Sequence, residues 1–353
     1  MAGRRKRPTL KDVALRAGVS TGTISLVLNR SNLVAYGTRL RVLQAIEDLG
    51  YVYDRGAAQL RSRRTNIVAL SVCNLANPYF AEIAAGIENT LDDLGYVLLL
   101  GNCSESVSKQ KKFIESIREY NVDGVMIIPA RETKPEDISD YQNWDSPFIM
   151  VSRYVPGVEF DYAGSNNRAG TAAATRHVID LGHHRIGFVG VNRKTTSGRD
   201  RAAGYRAAMR DAGLTVDPLM MVECPDSREE GFRAIHRLYQ SPSPPTAVIC
   251  FNDILAFGVM LGLRAMGLVP GNHCSVVGHD DVAEAVLWRP PLTTIAVDVE
   301  GLGVAAAQLL RARLAGAAYK PQRRILESSL IVRETCGPPP THRSLPPRAC
   351  SFQ

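Results

Sequence analysis

Apolar residues near the start of the chain recur every three or four positions, which is the period of an α-helix. The first such face comprises Leu10, Val13, Ala14 and Ala17. Thr9, followed three residues later by Asp12, has the pattern of a helix-capping box, and Gly18 can end a helix at little conformational cost. The pattern therefore predicts a first helix from Leu10 to about Ala17.

A second short helix is predicted from Thr21 to about Asn29, with Ser20 as its cap. Its inward positions hold Ile24, Val27 and Leu28. Its opposite face presents Thr21, Gly22, Ser25, Leu26 and Asn29. Two helices joined by a short turn that contains glycine form a helix-turn-helix, whose second helix enters the major groove of DNA.

A third helix, from about Gly37 to Leu49, is predicted to close a small core with the first two. Its predicted core residues are Leu40, Leu43, Ala45, Ile46 and Leu49. Beyond it, the segment from Tyr51 to Arg64 contains a short helix-capable stretch and one large apolar residue, Leu60. An exposed leucine is often accidental, but in a DNA-binding module it can also wedge into a minor-groove step.

After Thr65 the pattern changes to short apolar runs separated by helical stretches. The runs lie at 67–72, 97–100, 125–128, 148–151, 185–190, 247–250 and 274–278. Strands that alternate with helices favour parallel sheets with right-handed crossovers, and a segment this long suits two doubly wound lobes. The predicted fold is thus a small all-α head on an α/β body, with a ligand cleft where the strands of the two lobes end.

The composition is that of a soluble globular protein, with 45% hydrophobic and 22% charged residues, and the length of 353 residues suggests two or three domains. No apolar run is long enough to predict a membrane span. The basic start lacks the apolar core of a secretory signal, so we expect a cytoplasmic protein. Seven scattered cysteines favour reduced thiols, with Cys73 and Cys250 in the core.

Positive charge is concentrated in the predicted helical head. The first 64 residues hold 13 Lys and Arg against 4 Asp and Glu, whereas the formal net charge of the whole chain is +7. This asymmetry is typical of a nucleic-acid module joined to a second unit, although an ordinary helical bundle with a solvated basic face is the alternative. The residues placed to meet phosphates are Arg4, Arg5, Lys6, Arg7, Arg30, Arg39 and Arg41.

Polar and aromatic side chains that follow the predicted strands form a candidate ligand set. They are Tyr79, Phe80, Ser152, Arg153, Arg199, Asn252, Asp253 and Asp280. Aromatic rings provide stacking area, and guanidinium, amide and carboxylate groups provide directional hydrogen bonds to a small sugar-like or nucleobase-like ligand. For each charged residue, the alternative is a cap at a strand end or a surface charge.

The residues predict neither a metal site nor a cofactor. His183 and His184 lack a third ligand at metal spacing, which favours a polar turn, and Asp280-Asp281 lacks the oxygen array of a calcium loop. The body has no G-x-G-x-x-G after its first strand, no phosphate-binding Gly-Lys-Ser/Thr loop and no nucleophile elbow. These absences disfavour an enzyme.

The head resembles the lac repressor family of transcriptional regulators over the pattern T-L-x-D-V-A-x-x-A-G-V-S-x-x-T-I-S-x-V-L-N at 9–29. The body agrees in order, including N-P-Y-F at 77–80, S-V-V-G-x-D-D at 275–281 and P-P-L-T-T-I at 290–295. The resemblance spans about 8–335. It implies a homodimeric regulator, most often a repressor, which binds a pseudo-palindromic DNA operator under the control of a small effector held between two lobes that resemble periplasmic binding proteins.

The resemblance also implies which residues contact DNA. They are Thr9, Ser20, Thr21, Gly22, Thr23, Ser25, Leu26, Asn29, Tyr51, Ala57 and Leu60. Thr21, Gly22 and Leu26 fall on its base-reading positions, and Leu60 falls on a minor-groove hinge helix. Many members have arginine where Leu26 stands; leucine contacts a thymine methyl but makes no bidentate bond to guanine, so the operator should differ.

Within the candidate ligand set, Phe80, Arg199, Asn252 and Asp280 match effector-contact positions of the family, whereas a structural role is open for Arg201. The expected domains are a helix-turn-helix at 8–54, a hinge at 55–64, a ligand-binding and dimerisation body at 65–335 and a disordered tail at 336–353. A purely ligand-binding protein of the periplasmic receptor type is the alternative, and the basic head with no export signal disfavours it.

Overall fold

The computed structural model describes residues 8–28, 31–52, 64–317 and 320–340. The chain divides into two compact units, Met1–Thr65 and Asn66–Gln353, which are termed the head and the body. The predicted hinge at 55–64 and residues 341–353 of the predicted tail at 336–353 lie almost entirely outside the described residues, so the assignments of these residues stay predictions.

The described part of the head contains three helices, α1 (Leu10–Ala17), α2 (Thr21–Leu28) and α3 (Tyr36–Leu49). The predicted capping box is present, because Thr9 N donates to Asp12 Oδ2 at 2.7 Å and Asp12 N donates to Thr9 Oγ1 at 3.4 Å. Gly18 ends α1 in the left-handed conformation, at φ 66°. The predicted bounds of α1 and α2 are therefore confirmed to within a residue.

Each helix of the head contributes a fully buried side chain to its core: Val13, Ile24 and Val42. The prediction that Leu40 and Leu43 belong to this core was wrong, since they are 49% and 48% exposed. The inward face of α3 runs instead through Val42, Ala45, Ile46 and Leu49, which share one helical stripe. Leu40 and Leu43 lie two residues before and one residue after Val42, and so fall outside that stripe.

The body is built from twelve strands and seven α-helices among the described residues. The strands are β1 (Ile67–Val72), β2 (Val97–Asn102), β3 (Gly124–Ile127), β4 (Phe148–Val151), β5 (Asp161–Ser165), β6 (Ile186–Val189), β7 (Met221–Val222), β8 (Ala247–Cys250), β9 (Ser275–Asp280), β10 (Thr293–Val297), β11 (Arg323–Leu326) and β12 (Ser328–Ile331). The helices are α4 (Pro78–Asp92), α5 (Val107–Glu119), α6 (Asn167–Asp180), α7 (Thr196–Asp211), α8 (Arg228–Tyr239), α9 (Asp253–Ala265) and α10 (Val299–Leu314).

The prediction of two parallel-sheet lobes is confirmed, and each lobe contains one six-stranded sheet. The first has the order β2-β1-β3-β4-β5-β11 and the second the order β7-β6-β8-β9-β10-β12. Neighbouring strands are parallel except that β12 is antiparallel to β10. Because Glu327 alone separates β11 from β12, the chain continues straight from one sheet into the other and enters the second sheet in the reverse direction.

Three short segments of the described chain connect the lobes. The chain leaves the first sheet after Ser165, returns to the first lobe between Val297 and Val299, and passes into the second sheet at Glu327. Consequently α10 packs against α4 of the first lobe although it follows β10 of the second. The buried apolar cores of the sheets include Cys73 and Cys250, as predicted.

The body extends beyond Thr335, its predicted end. The carbonyl oxygen of Gly337 accepts hydrogen bonds from His183 Nε2 at 2.8 Å and from Ser275 Oγ at 3.0 Å. Residues 336 and 337 thus contribute to the packing of the second lobe, in contrast to the disorder predicted from 336 onward. Two hydroxyl groups and a carbonyl surround the ring of buried His183, a pattern that apolar periodicity does not reveal.

Candidate DNA-binding face and ligand cleft

The exposed face of α2 presents three of the predicted base-reading residues. Thr21 and Gly22 are exposed and Leu26 is 38% exposed, whereas Ile24 and Val27 are buried on the opposite face. The side-chain surface available for reading bases is therefore small and largely apolar. The absence of a charged or amide side chain among these three residues distinguishes this face from one that reads guanine or adenine through paired hydrogen bonds.

The other predicted DNA-contact hydroxyls of α2 have local partners. Ser20 Oγ accepts from Thr23 N at 3.1 Å and lies 3.0 Å from Thr23 Oγ1, which makes Ser20 the predicted helix cap. Ser25 Oγ donates to the carbonyl oxygen of Thr21 at 3.1 Å. These three hydroxyls stabilise the start of α2, while the side chains of Thr21 and Leu26 remain available to contact bases.

Thr9 and Tyr51 hold the head together. Thr9 Oγ1 donates to Asp12 Oδ2 at 2.7 Å, and Tyr51 packs against the helical core while its backbone N–H donates to Ile46 O at 3.0 Å. Asn29, Ala57 and Leu60 lie outside the described residues, so their contacts with DNA stay predictions.

Some basic side chains of the head are occupied by intramolecular contacts. Arg16 pairs with Asp48 at 2.8 Å, and hydrogen bonds from Gln44 and Arg16 lower the pKa of that carboxyl. Arg39 Nη2 donates to Ser31 O at 2.6 Å and ties the loop before α3 to the helix. Arg41 is exposed and, among the described residues, makes only a long contact, 3.5 Å, with Thr38 Oγ1. Arg41 is therefore better placed than Arg16 to meet a phosphate.

In the second lobe, a buried ion pair lies at the carboxyl end of β9. Arg201 Nη2 donates to Asp280 Oδ1 at 3.1 Å, and both side chains are about 95% buried. Arg201 Nε also donates to Asn167 Oδ1 at 2.7 Å, Nη1 donates to Phe251 O, and the guanidinium lies 4.6 Å from the centre of the Phe251 ring. One arginine thus joins the ends of β8 and β9 to the start of α6.

Asp280 is held in an unusual state. Its backbone has φ 115°, which few side-chain-bearing residues adopt. Burial raises the pKa of Asp280 to about 6, against the opposing charge of Arg201 and its hydrogen bond. Strain and a raised carboxyl pKa at a strand end are features that concentrate at ligand sites.

The first lobe contributes an aromatic and a basic wall. Tyr79 and Phe80 meet edge to face with 5.2 Å between ring centres, and the Tyr79 hydroxyl lies 2.9 Å from Ser152 Oγ. The Arg153 guanidinium lies 5.7 Å from the centre of the Phe80 ring and donates from Nη1 to Glu105 at 3.0 Å. Four of the eight predicted ligand residues are thereby brought together.

The walls of the two lobes lie within electrostatic reach of each other. Burial raises the pKa of Tyr79 to about 12, and the negative charge of Asp280 adds to this effect. In turn, the positive charge of Arg153 favours the ionised form of Asp280. Tyr79, Arg153, Arg201 and Asp280 therefore belong to one polar region between the lobes, which is termed the ligand cleft.

Two other predicted ligand residues have structural partners that match the strand-end alternative. Asn252 caps α9, since its Oδ1 accepts from Leu255 N at 3.0 Å. Asp253 Oδ1 accepts from Thr294 Oγ1 at 2.5 Å and Oδ2 accepts from Val282 N at 2.9 Å. Both are buried. Asp253 fixes the connection after β9, and the Asp280 carboxylate is the one that faces Arg201.

Arg199 is in the predicted ligand set and Arg201 is not, but the buried arginine at the carboxyl end of β9 is Arg201. Arg199 is exposed, and its Nη1 donates to Arg193 O at 3.3 Å. Arg201 is the buried arginine of the ligand cleft, and Asn167 is its second partner; neither was in the predicted set. The helical period was the available signal, because position 201 lies on the same face of α7 as buried Gly204, Tyr205 and Ala208.

A cavity of about 250 Å³ lies between the lobes, with Arg153 from the first lobe and Thr195, Thr196 and Arg199 from the second in its walls. Thr196 Oγ1 also donates to Tyr154 O at 3.2 Å, which links the lobes beside the cavity. Within the described part of the chain, no cluster of three metal-binding side chains occurs, and no helix is long and apolar enough to cross a membrane.

Comparison with known proteins identifies both units. Residues 9–54 match the model of bacterial regulatory proteins of the lacI family, and residues 175–336 match a periplasmic binding protein-like domain. The transcriptional repressor PurR of Photobacterium profundum is 31% identical over 331 residues, covering 93% of this chain and 98% of that protein. The chain belongs to the lacI family of bacterial regulatory proteins.

Other relatives agree over more than nine-tenths of the chain. The repressor CytR of Escherichia coli (strain K12) is 30% identical and covers 92% of this chain and 95% of its own. A lac repressor dimer solved with operator and the anti-inducer ONPF has a TM-score of 0.83 at 28% identity, covering 94% of this chain and 99% of that one. The regulator CelR, solved with cellobiose, has a TM-score of 0.71 at 30% identity and covers 93% of this chain and 100% of that one. Membership makes the chain a DNA-binding transcriptional regulator and not an enzyme.

Proposed function

We propose that this regulator is a cytoplasmic homodimer that represses transcription from a pseudo-palindromic operator and that a small molecule bound in the ligand cleft controls its affinity for DNA. The exposed Thr21-Gly22-Leu26 face of α2 carries the DNA part of the proposal. A head whose second helix has a buried apolar side and an exposed reading side is the geometry that a major groove requires.

The ligand cleft supports control by a small molecule. It combines the rings of Tyr79 and Phe80 with the buried Arg201–Asp280 pair, and lobes that meet across a few short connections can change their relative orientation. The relatives solved with ONPF and with cellobiose hold small molecules, and the lac repressor structure is a dimer on operator. Sugar-like or nucleobase-like compounds are the first candidates for this chain.

The effector controls operator affinity by changing the relative populations of two orientations of the lobes. One orientation of the lobes is compatible with two heads gripping the operator, with the Leu60 wedges at its centre, and the other is not. An effector that prefers either orientation changes the operator affinity, and the change is limited to the difference between its affinities for the two states.

Base readout by Leu26 tests the DNA part of the proposal. Sequences selected by the wild-type protein from random duplex DNA should form a pseudo-palindrome with a thymine facing Leu26 in each half-site. Leu26→Arg should exchange that preference for guanine and lower affinity for the wild-type operator about tenfold to a hundredfold, because arginine cannot use the thymine methyl but pairs with guanine.

The matched control is Leu15→Arg, which adds the same charge at a leucine of α1 that is 87% exposed. It should strengthen binding to all duplexes without changing the selected sequence. If neither protein selects any sequence above competitor DNA at moderate salt, the proposed function is wrong; if selection occurs but Leu26→Arg leaves it unaltered, Leu26 is not a reading residue.

A further inference from the structure

The cavity between the lobes has a basic lining. Lys134 and Arg153 of the first lobe and Lys194 and Arg199 of the second contribute to its walls, together with the hydroxyl-bearing Thr195 and Thr196. Among the described residues that line it, none is an aspartate or a glutamate. Four cations around about 250 Å³ make this a region of positive potential between the lobes.

The carboxylates that pair with the two lysines lie at the surface. Lys194 Nζ is 2.8 Å from Glu132, and the side chains are 51% and 62% exposed. Lys134 Nζ is 3.7 Å from Glu136, with both side chains 69% exposed. Exposed pairs of this kind are weak, so either lysine can exchange its partner for an anion in the cavity at little cost.

Arg153 is the buried member of the lining, with 4% of its surface exposed. Within the described residues its side-chain hydrogen bonds all run through Nη1, to Glu105, to Cys73 Sγ and to Pro129 O. Nε and Nη2 therefore remain as donors on a side chain that borders the cavity. A buried guanidinium with unused donors is suited to bind an oxyanion.

The wall that the second lobe contributes also has a positive potential. Thr195 caps α7 by accepting from Gly198 N at 3.1 Å, so the sixteen-residue helix begins at the cavity. The first amides of a helix lack intrahelical acceptors, and its macrodipole is positive at this end. Arg199 projects from the first turn of the same helix.

We propose that the effector is an anionic metabolite and that its phosphate group binds in this basic cavity. The inference rests on the proposed function and names the chemical class of its ligand. A phosphate carries up to two negative charges and accepts hydrogen bonds in several directions, which matches cations placed on both lobes better than a single carboxylate does. Because it contacts both lobes, such a ligand favours the orientation that brings them together.

The neighbouring ligand cleft is suited to the uncharged part of the same molecule. Its Arg201–Asp280 pair balances its own charge, and the rings of Tyr79 and Phe80 provide an apolar face. Arg153 belongs to both regions, because it lies 5.7 Å from the centre of the Phe80 ring and also borders the cavity. A sugar phosphate or a nucleotide has this division into an uncharged and an anionic part.

Calorimetric titration of the full chain tests the inference. The probes are inorganic phosphate, glucose 6-phosphate, glucose and citrate, each at constant ionic strength set with KCl. Inorganic phosphate and glucose 6-phosphate should bind saturably and glucose should not. Arg199→Gln should weaken phosphate binding about tenfold, as expected for loss of one charge-assisted hydrogen bond, whereas Arg199→Lys should retain part of it.

Arg210→Gln is the matched control. Arg210 lies at the other end of α7, is 72% exposed and pairs with Asp211, so its replacement should leave phosphate binding unchanged. Equal loss in Arg199→Gln and Arg210→Gln, no loss in Arg199→Gln, or binding of citrate without binding of phosphate would each overturn the inference. Operator selection by the same wild-type preparation separates this failure from failure of the proposed function, since DNA binding does not require the cavity.

Discussion

The cost of burying charge determines the hydrogen bonding and the ionisation of single residues in the ligand cleft. Arg201 satisfies its three nitrogen donors with Asn167, Phe251 and Asp280, and so offsets the desolvation of a buried guanidinium. The desolvation of the Asp280 carboxylate is offset less completely, since burial raises the pKa of Asp280 to about 6 despite the charge of Arg201. A protonation change at Asp280 therefore falls close to neutral pH.

Stability of the body should depend on the ionisation of Asp280. Its pKa is higher in the folded chain than the usual value near 3.9, so folding takes up a proton and this group's contribution to stability increases as the pH falls from 7 towards 4.5. Relative to Asp280→Asn, the wild-type free energy of unfolding should rise by up to about 2 kcal/mol over that range, as urea unfolding at both pH values would show.

Asp211→Asn provides the comparison for that measurement, because Asp211 is an exposed carboxylate at the end of α7. Its pH dependence should follow the wild type. Parallel curves for Asp280→Asn and wild type between pH 4.5 and pH 7 would show that Asp280 has an ordinary pKa in the folded protein.

At the scale of elements, helix pairs of the body approach closely where glycines face a neighbouring backbone. A Cβ placed at Gly258 of α9 would overlap the carbonyl oxygen of Arg228 in α8. Contact between the two backbones leaves no flexible side chain to move aside. The pairing of α8 with α9 thus depends on a missing side chain, which no hydrophobic pattern indicates.

Gly258→Ala should therefore destabilise the body by about 1–3 kcal/mol, the range for overpacking a core. Gly37→Ala is the informative counterpart: Gly37 lies in α3, a Cβ there would meet nothing within 4 Å, and alanine should stabilise that helix by up to about 1 kcal/mol. Thermal unfolding of both variants measures the difference. A neutral Gly258→Ala would mean that α8 and α9 separate easily.

The element pattern was largely predictable, whereas side-chain partners were not. Capping residues and apolar period locate α1 and α2, and short apolar runs locate seven of the twelve described strands, because both signals are local. The apolar runs miss β5, β7, β10, β11 and β12. The helical period places Arg201 on the buried face of α7, but its partners Asn167, Phe251 and Asp280 come from other parts of the chain and are set by tertiary packing. The same limit explains why Asn252 and Asp253 could not be separated from Asp280 by position after a strand alone.

On the scale of the whole molecule, charge is divided between a basic head and a slightly acidic body. Phosphate contacts by the head release counterions from DNA, and the salt dependence of binding reports their number. Arg16 is already paired with Asp48, while the one side-chain contact of exposed Arg41 with another described residue is the long one with Thr38. The two arginines should therefore differ in what they contribute to binding.

Operator affinity should fall steeply as KCl rises from 50 to 200 mM, by about three orders of magnitude if six phosphates are contacted. Arg41→Gln should reduce the slope of log affinity against log salt by about one for each head, and Arg16→Gln should leave the slope unaltered. Fluorescence anisotropy with a labelled operator measures both. Equal slopes for wild type and Arg41→Gln would remove Arg41 from the phosphate contacts.

The interleaved path of the chain has a consequence for biosynthesis. Helix α10 and strand β11, at Val299–Leu314 and Arg323–Leu326, complete the lobe that begins with β1. A ribosome therefore releases most of the second lobe before the first can close over its apolar surface. Until those last residues emerge, the nascent polypeptide exposes the sites of α4 and β5 that they will cover, and chaperone binding during translation should concentrate there.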